Sequence, residues 1–99
     1  MVYKTQILPT AERELDGIVA YLSEFGLSTA VSFLEEYHHQ LDLLSEGAIE
    51  YSFSRMPELA ALGYHTALVN RYLFLYYVEG DMLKIAHFFH QSQNYAALV

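Results

Sequence analysis

His65, His87 and His90, all in the second half of the chain, are the side chains best matched to proton transfer near neutral pH, because imidazole can both take and give a proton there. Spacing limits what they can do together. On a strand, His87 and His90 differ by an odd step and should face opposite ways, unless the strand ends before His90. Each also has a purely structural reading, His87 as a half-buried sheet residue and His90 as a tail residue with no chemical task. His38 and His39 are neighbours in a helical stretch and cannot share one face, so the usual metal-ligand spacing is missing. The sequence contains no cysteine, which excludes disulfides, thiolate chemistry and cysteine zinc sites. No metal and no cofactor are expected.

The elements that must position these histidines follow from hydrophobic spacing. Val2 to Leu8 is a short run of bulky and β-branched residues stopped by Pro9, which predicts an opening strand. Thr10 can cap a helix in which Leu15, Ile18, Val19, Leu22 and Phe25 recur at helical spacing, with Gly26 as its left-handed C-terminal residue. Ser28 can cap a second helix, where Ala30, Leu34, Tyr37, Leu41 and Leu44 form one stripe and Gly47 lies just past the end. With so little chain between them, the two helices must fold back as a hairpin. Pro57 can open one helical turn through Leu62. From Tyr64 the period changes: Tyr64 to Val69, Tyr72 to Val78 and Met82 to Phe89 read as strands, joined by hairpin turns at Asn70-Arg71 and Glu79-Gly80-Asp81. The predicted fold is therefore α+β, in the order β-α-α-β-β-β. A helical hairpin packs on one face of a small, mostly antiparallel sheet.

A chain of 99 residues with 54% hydrophobic content suits one domain over 1–99 and excludes disorder. No signal-peptide pattern and no apolar run of ~18 to 20 residues is present, so a cytoplasmic protein without membrane contact is the expectation. Charge is uneven. Residues 1–50 hold nine acids against Lys4 and Arg13, a balance of −7, while the acids and bases of residues 51–99 cancel. A solvated helix face accounts for the acid.

Several motifs in this order resemble one family. They are Pro9-Thr10-Ala11-Glu12-Arg13-Glu14-Leu15, Gly63-Tyr64-His65, Arg71-Tyr72-Leu73-Phe74-Leu75-Tyr76-Tyr77-Val78, and the ending His90-Gln91-Ser92-Gln93-Asn94-Tyr95-Ala96-Ala97-Leu98. Together with the order of elements, they resemble the RelE/ParE family of bacterial toxins, the toxin halves of type II toxin–antitoxin pairs, often described as plasmid stabilisation proteins. The resemblance implies a growth inhibitor neutralised by a cognate antitoxin. His90 and Tyr95 correspond to the family's tail histidine and tyrosine, and His87 and His65 to positions usually basic.

The departures from the family matter as much. Relatives usually end their last strand with His-Gly-Arg-Arg-Asp-Tyr or close to it, whereas His90-Gln91-Ser92-Gln93-Asn94-Tyr95 stands here and lacks both arginines. The family's basic residues hold RNA phosphates and stabilise charge as the 2′-hydroxyl attacks phosphorus, so their loss removes a large electrostatic contribution. Arg55, Arg71 and Lys84 are too few to build a basic patch, and a net charge of −7 adds no counterion-release term.

Three functional classes stay open. The first is a ribosome-dependent mRNA endoribonuclease with His90, Tyr95, His87 and His65 as catalytic residues and Arg71 and Lys84 as RNA contacts. A ParE-like inhibitor that binds DNA gyrase as a protein is the second, and a degenerate, non-toxic family member the third. One further expectation concerns the sheet. Tyr72, Phe74 and Tyr76 share one face while Leu73, Leu75 and Tyr77 share the other, and one helical layer covers only one of them. The antitoxin, or a second copy when antitoxin is absent, is expected to cover the remaining face.

Overall fold

Asn70 takes φ 55° and Gly80 φ 64°, the left-handed conformations that tight hairpin turns demand. Around these two turns the chain lays down an antiparallel meander of β2 (His65–Val69), β3 (Tyr72–Glu79) and β4 (Met82–His90). The opening strand β1 (Lys4–Ile7) joins as a parallel neighbour of β4, so the sheet order is β1-β4-β3-β2. Between β1 and β2 come α1 (Pro9–Ser23), α2 (Leu27–Ser45) and the short α3 (Pro57–Ala61). The structure, a computed structural model, describes residues 2–47, 54 and 57–93.

Helix boundaries differ from the sequence expectation in their capping. Pro9 is itself the first residue of α1 and Leu8 holds the cap position, with no side-chain cap bond; proline suits that place because its missing N–H would have no helical partner. Thr10 instead accepts a hydrogen bond from the Arg13 guanidinium at 3.3 Å. Gly26, at φ 140° and ψ 147°, is the N-cap of α2 rather than a left-handed end of α1, and Ser28 lies inside α2. Only glycine adopts that φ and ψ without strain, so Gly26 makes the abrupt reversal between the helices. Gly47, at φ 74°, follows α2 as expected.

The helices cover one sheet face. Phe33, Tyr37 and Leu44 of α2 and Ala11 of α1 pack on Phe74 and Tyr76 of β3 and on Leu83, Ile85 and Phe88 of β4. Tyr37 meets Phe74 and Phe88 edge-on, at 5.7 and 5.1 Å between centroids, a favoured aromatic geometry. Phe33, absent from the expected stripe, is fully buried, and Phe25, placed in the α1 stripe, is exposed beyond the helix end.

The other sheet face is covered in part by this chain itself. Leu73, Leu75 and Phe89 are buried there by this chain's own Leu59, from α3, with Tyr64 beside them. The single turn of helix opened by Pro57 thus packs on that face.

Candidate functional site

The parallel pairing of β1 with β4 stops at Ile7 opposite Ile85, and the Leu8 N–H donates the next bond to the Ile85 carbonyl at 2.9 Å. Directly after it, β4 has a bulge: Ile85 pairs with Tyr76 and His87 with Leu75, leaving Ala86 as the extra residue. A bulge reverses which side chains face the core. Leu83 and Ile85 face the helices before it and Phe88 does so after it. His87 is turned to the opposite face, where its ring stacks on Phe89 at 5.3 Å and 13°. The expected opposition of His87 and His90 holds, since His90 pairs with Tyr72 and meets its ring edge-on at 5.1 Å.

Beyond the end of β1, helix α1 borders β4 directly. Glu14, Gly17, Ile18 and Tyr21 recur at helical spacing on one stripe of α1 and form one wall of a cleft of about 460 Å³. Tyr72, Phe88, His90 and Gln93 line its other side. Glu14 closes the edge of the strand: its Oε1 accepts from the Phe88 N–H at 3.3 Å and lies 3.1 Å from His87 Nδ1. The Phe88 N–H that β1 leaves behind is thereby engaged by a side chain, as a buried backbone donor requires.

His90 is held in one tautomer. Its Nδ1 accepts the Ser92 N–H at 3.0 Å and lies 2.6 Å from Ser92 Oγ; because a backbone N–H can only donate, the neutral ring carries its proton on Nε2. The His90 N–H donates to Gln93 Oε1 at 2.7 Å. Gln91 ties this segment to the β2–β3 turn through bonds to the Arg71 and Asn70 carbonyls. Burial pushes the Tyr72 phenol up from its ordinary pKa, with a smaller contribution from neighbouring Tyr21. Both causes favour a neutral phenol, so Tyr72 offers a hydroxyl rather than a charge.

The sequence-predicted residues are not gathered together. His65 stacks on Tyr76 at 5.1 Å and 17°, and from Tyr76 to Tyr72, the partner of His90, is about 13 Å along β3. His87 lies across the sheet from His90 and faces Glu14. Lys84 is bound to Glu79 at 2.8 Å, about 20 Å along β4 from His90. Arg71 is exposed in the β2–β3 turn, the end of the sheet where His90 also lies. Tyr95 and Arg55 lie outside the described residues. Sequence reasoning passed over Glu14, Gly17, Tyr21, Tyr72 and Gln93 as site residues. Gly17, in mid-helix, was the one available signal, because glycine there costs about 1 kcal/mol relative to alanine. Among the described residues, no group of three or more His, Asp or Glu side chains could hold a metal ion, and no helix is long and apolar enough to cross a membrane.

A family model described as the ParE toxin of the type II toxin–antitoxin system, parDE, matches residues 6–95. A search of curated proteins gives no match. Among solved structures, the chromosomal ParDE TA system from P. aeruginosa aligns with a TM-score of 0.70 at 16% identity, covering 90% of this chain and 96% of that one.

Proposed function

Because the chain belongs to the ParE toxin family of type II toxin–antitoxin systems, we propose that it is a growth inhibitor held in check by a cognate antitoxin, and that it poisons DNA gyrase through a protein contact rather than by cutting messenger RNA. The observation that carries this reading is Glu14. Its carboxylate lines the same cleft as His90, in a chain of net charge −7. An RNA backbone approaching His90 would meet a fixed negative charge where phosphoryl chemistry needs a positive one. A protein surface with basic residues meets no such penalty.

The ribonuclease reading draws its support from His90, whose Nε2–H is a donor suited to a leaving 5′-oxygen. It would need a base from Tyr95, His87 or His65 and phosphate contacts from Arg71 or Lys84. His87, His65 and Lys84 stand apart from His90, and that separation favours the gyrase reading.

Expression in growing cells, followed by pulse labelling, tests the choice. Inhibition of gyrase blocks DNA synthesis first while protein synthesis continues; cleavage of ribosome-bound messenger reverses that order. Affinity for RNA gives a second check. Several phosphate contacts would make binding fall steeply with salt, by roughly 0.7 to 0.9 log units per contact per decade, and tight binding with such a slope would contradict the proposal.

A further inference from the structure

The cleft between α1 and β4 has a composition that selects its ligand. Glu14 supplies a carboxylate whose two bonds both fall on Oε1, so Oε2 has no hydrogen-bond partner among the described residues. Tyr21 and Tyr72 supply aromatic rings on opposite walls, close enough that Tyr21 raises the pKa of Tyr72. Gly17 lies one helical turn before Tyr21 on the same wall, and a Cβ built there meets nothing within 4 Å. Tyr21 of this wall also pairs edge-on with Phe25 at 5.2 Å, and the two stay 53% and 67% exposed.

We infer that this cleft is a receptor for one arginine side chain of a polypeptide partner. A carboxylate with an open oxygen accepts N–H bonds from a guanidinium, and tyrosine rings on either side stack on its plane. The exposed Tyr21–Phe25 pair matches the apolar stem that precedes the charged group. A volume of about 460 Å³ admits that side chain with some of its adjoining backbone. The acidic balance of the helical half, −7 over residues 1–50, draws a basic segment to this side of the molecule. The inference rests on the reading of the chain as a protein-binding toxin only in that the arginine belongs to a polypeptide. The chemistry of the cleft stands apart from the identity of the target.

The test is an NMR titration of the full chain with the capped peptide acetyl-Ala-Arg-Ala-amide, using lysine and glutamine versions as comparisons. The arginine peptide should shift the Gly17, Ile18 and His90 amides, with the lysine peptide weaker and the glutamine peptide without effect. Glu14→Gln should weaken arginine binding by roughly 10- to 100-fold, the usual worth of a charge-assisted hydrogen bond. Gly17→Leu should abolish it by filling the cleft from the α1 wall while the protein stays folded. A glutamine peptide that shifts the same amides equally, lysine binding as tight as arginine, or arginine binding that survives Gly17→Leu would each overturn the site. Normal arginine binding by a protein that leaves gyrase untouched would sink the gyrase reading and uphold this one.

Discussion

Glu14 Oε1 lies 3.1 Å from His87 Nδ1, although 73 positions separate them in the sequence. The contact joins α1 to the part of β4 that β1 does not reach, and the same oxygen accepts the Phe88 N–H. Glu14 is therefore both a structural closure of the strand edge and the charge of the cleft.

Replacing Glu14 with Ala should cost roughly 1 to 3 kcal/mol of stability, the range for leaving a buried donor without its partner. Glu14→Gln keeps an acceptor and should cost less. Urea unfolding of the two variants measures the difference. A change below about 0.5 kcal/mol for Glu14→Ala would show that water replaces the carboxylate at no loss.

Gly17 gives a prediction of opposite sign. Its helical position and the open space around its would-be Cβ mean that Gly17→Ala should stabilise the fold by roughly 0.5 to 1 kcal/mol. A higher midpoint in urea is the expected outcome, and a lower one would mean that the space beside Gly17 is tighter than the structure has it.

Tyr37 should make the fold sensitive to alkali. Burial pushes its phenol from 10.0 up to about 12, so the folded state keeps the proton that the unfolded chain releases. The contribution is complete below pH 10 and is lost as pH rises toward about 12, a total of roughly 2 to 3 kcal/mol. Tyr37→Phe keeps the ring packed against Phe74 and Phe88 and should remove this part of the alkaline loss. An unchanged pH profile in the variant would assign the loss elsewhere.

Thr66 carries a buried hydroxyl that has no hydrogen-bond partner among the described residues. Thr66→Val replaces it with a methyl group of the same shape and should stabilise by roughly 1 kcal/mol. Thermal unfolding checks this, and destabilisation would reveal a partner for the hydroxyl.

Much of the architecture is legible in the residues themselves. Asn70 and Gly80 mark the two hairpins, and the alternation around Phe74 assigns each β3 residue to the face it occupies. The cleft is not legible in the same way. Ile85-Ala86-His87-Phe88-Phe89 is apolar at both parities, so nothing in residue type locates the bulge at Ala86 that turns His87 away and Phe88 inward. Glu14 reads as one of nine acids in the first half; its role depends on where β1 stops, a property of the assembled sheet. The partial cover of the second sheet face is not legible either: Leu59 of the short α3 packs with Leu73 and Leu75, a contact set by chain path rather than by periodicity.

The most direct test of the central proposal is the supercoiling activity of purified DNA gyrase in the presence of the purified toxin, with His90→Ala alongside. Inhibition of supercoiling at stoichiometric toxin, retained in His90→Ala and relieved by the antitoxin, is the predicted result. Ribosome-dependent mRNA cleavage that falls by roughly 10²- to 10⁴-fold in His90→Ala, the contribution of general acid–base catalysis, with supercoiling untouched, would contradict it.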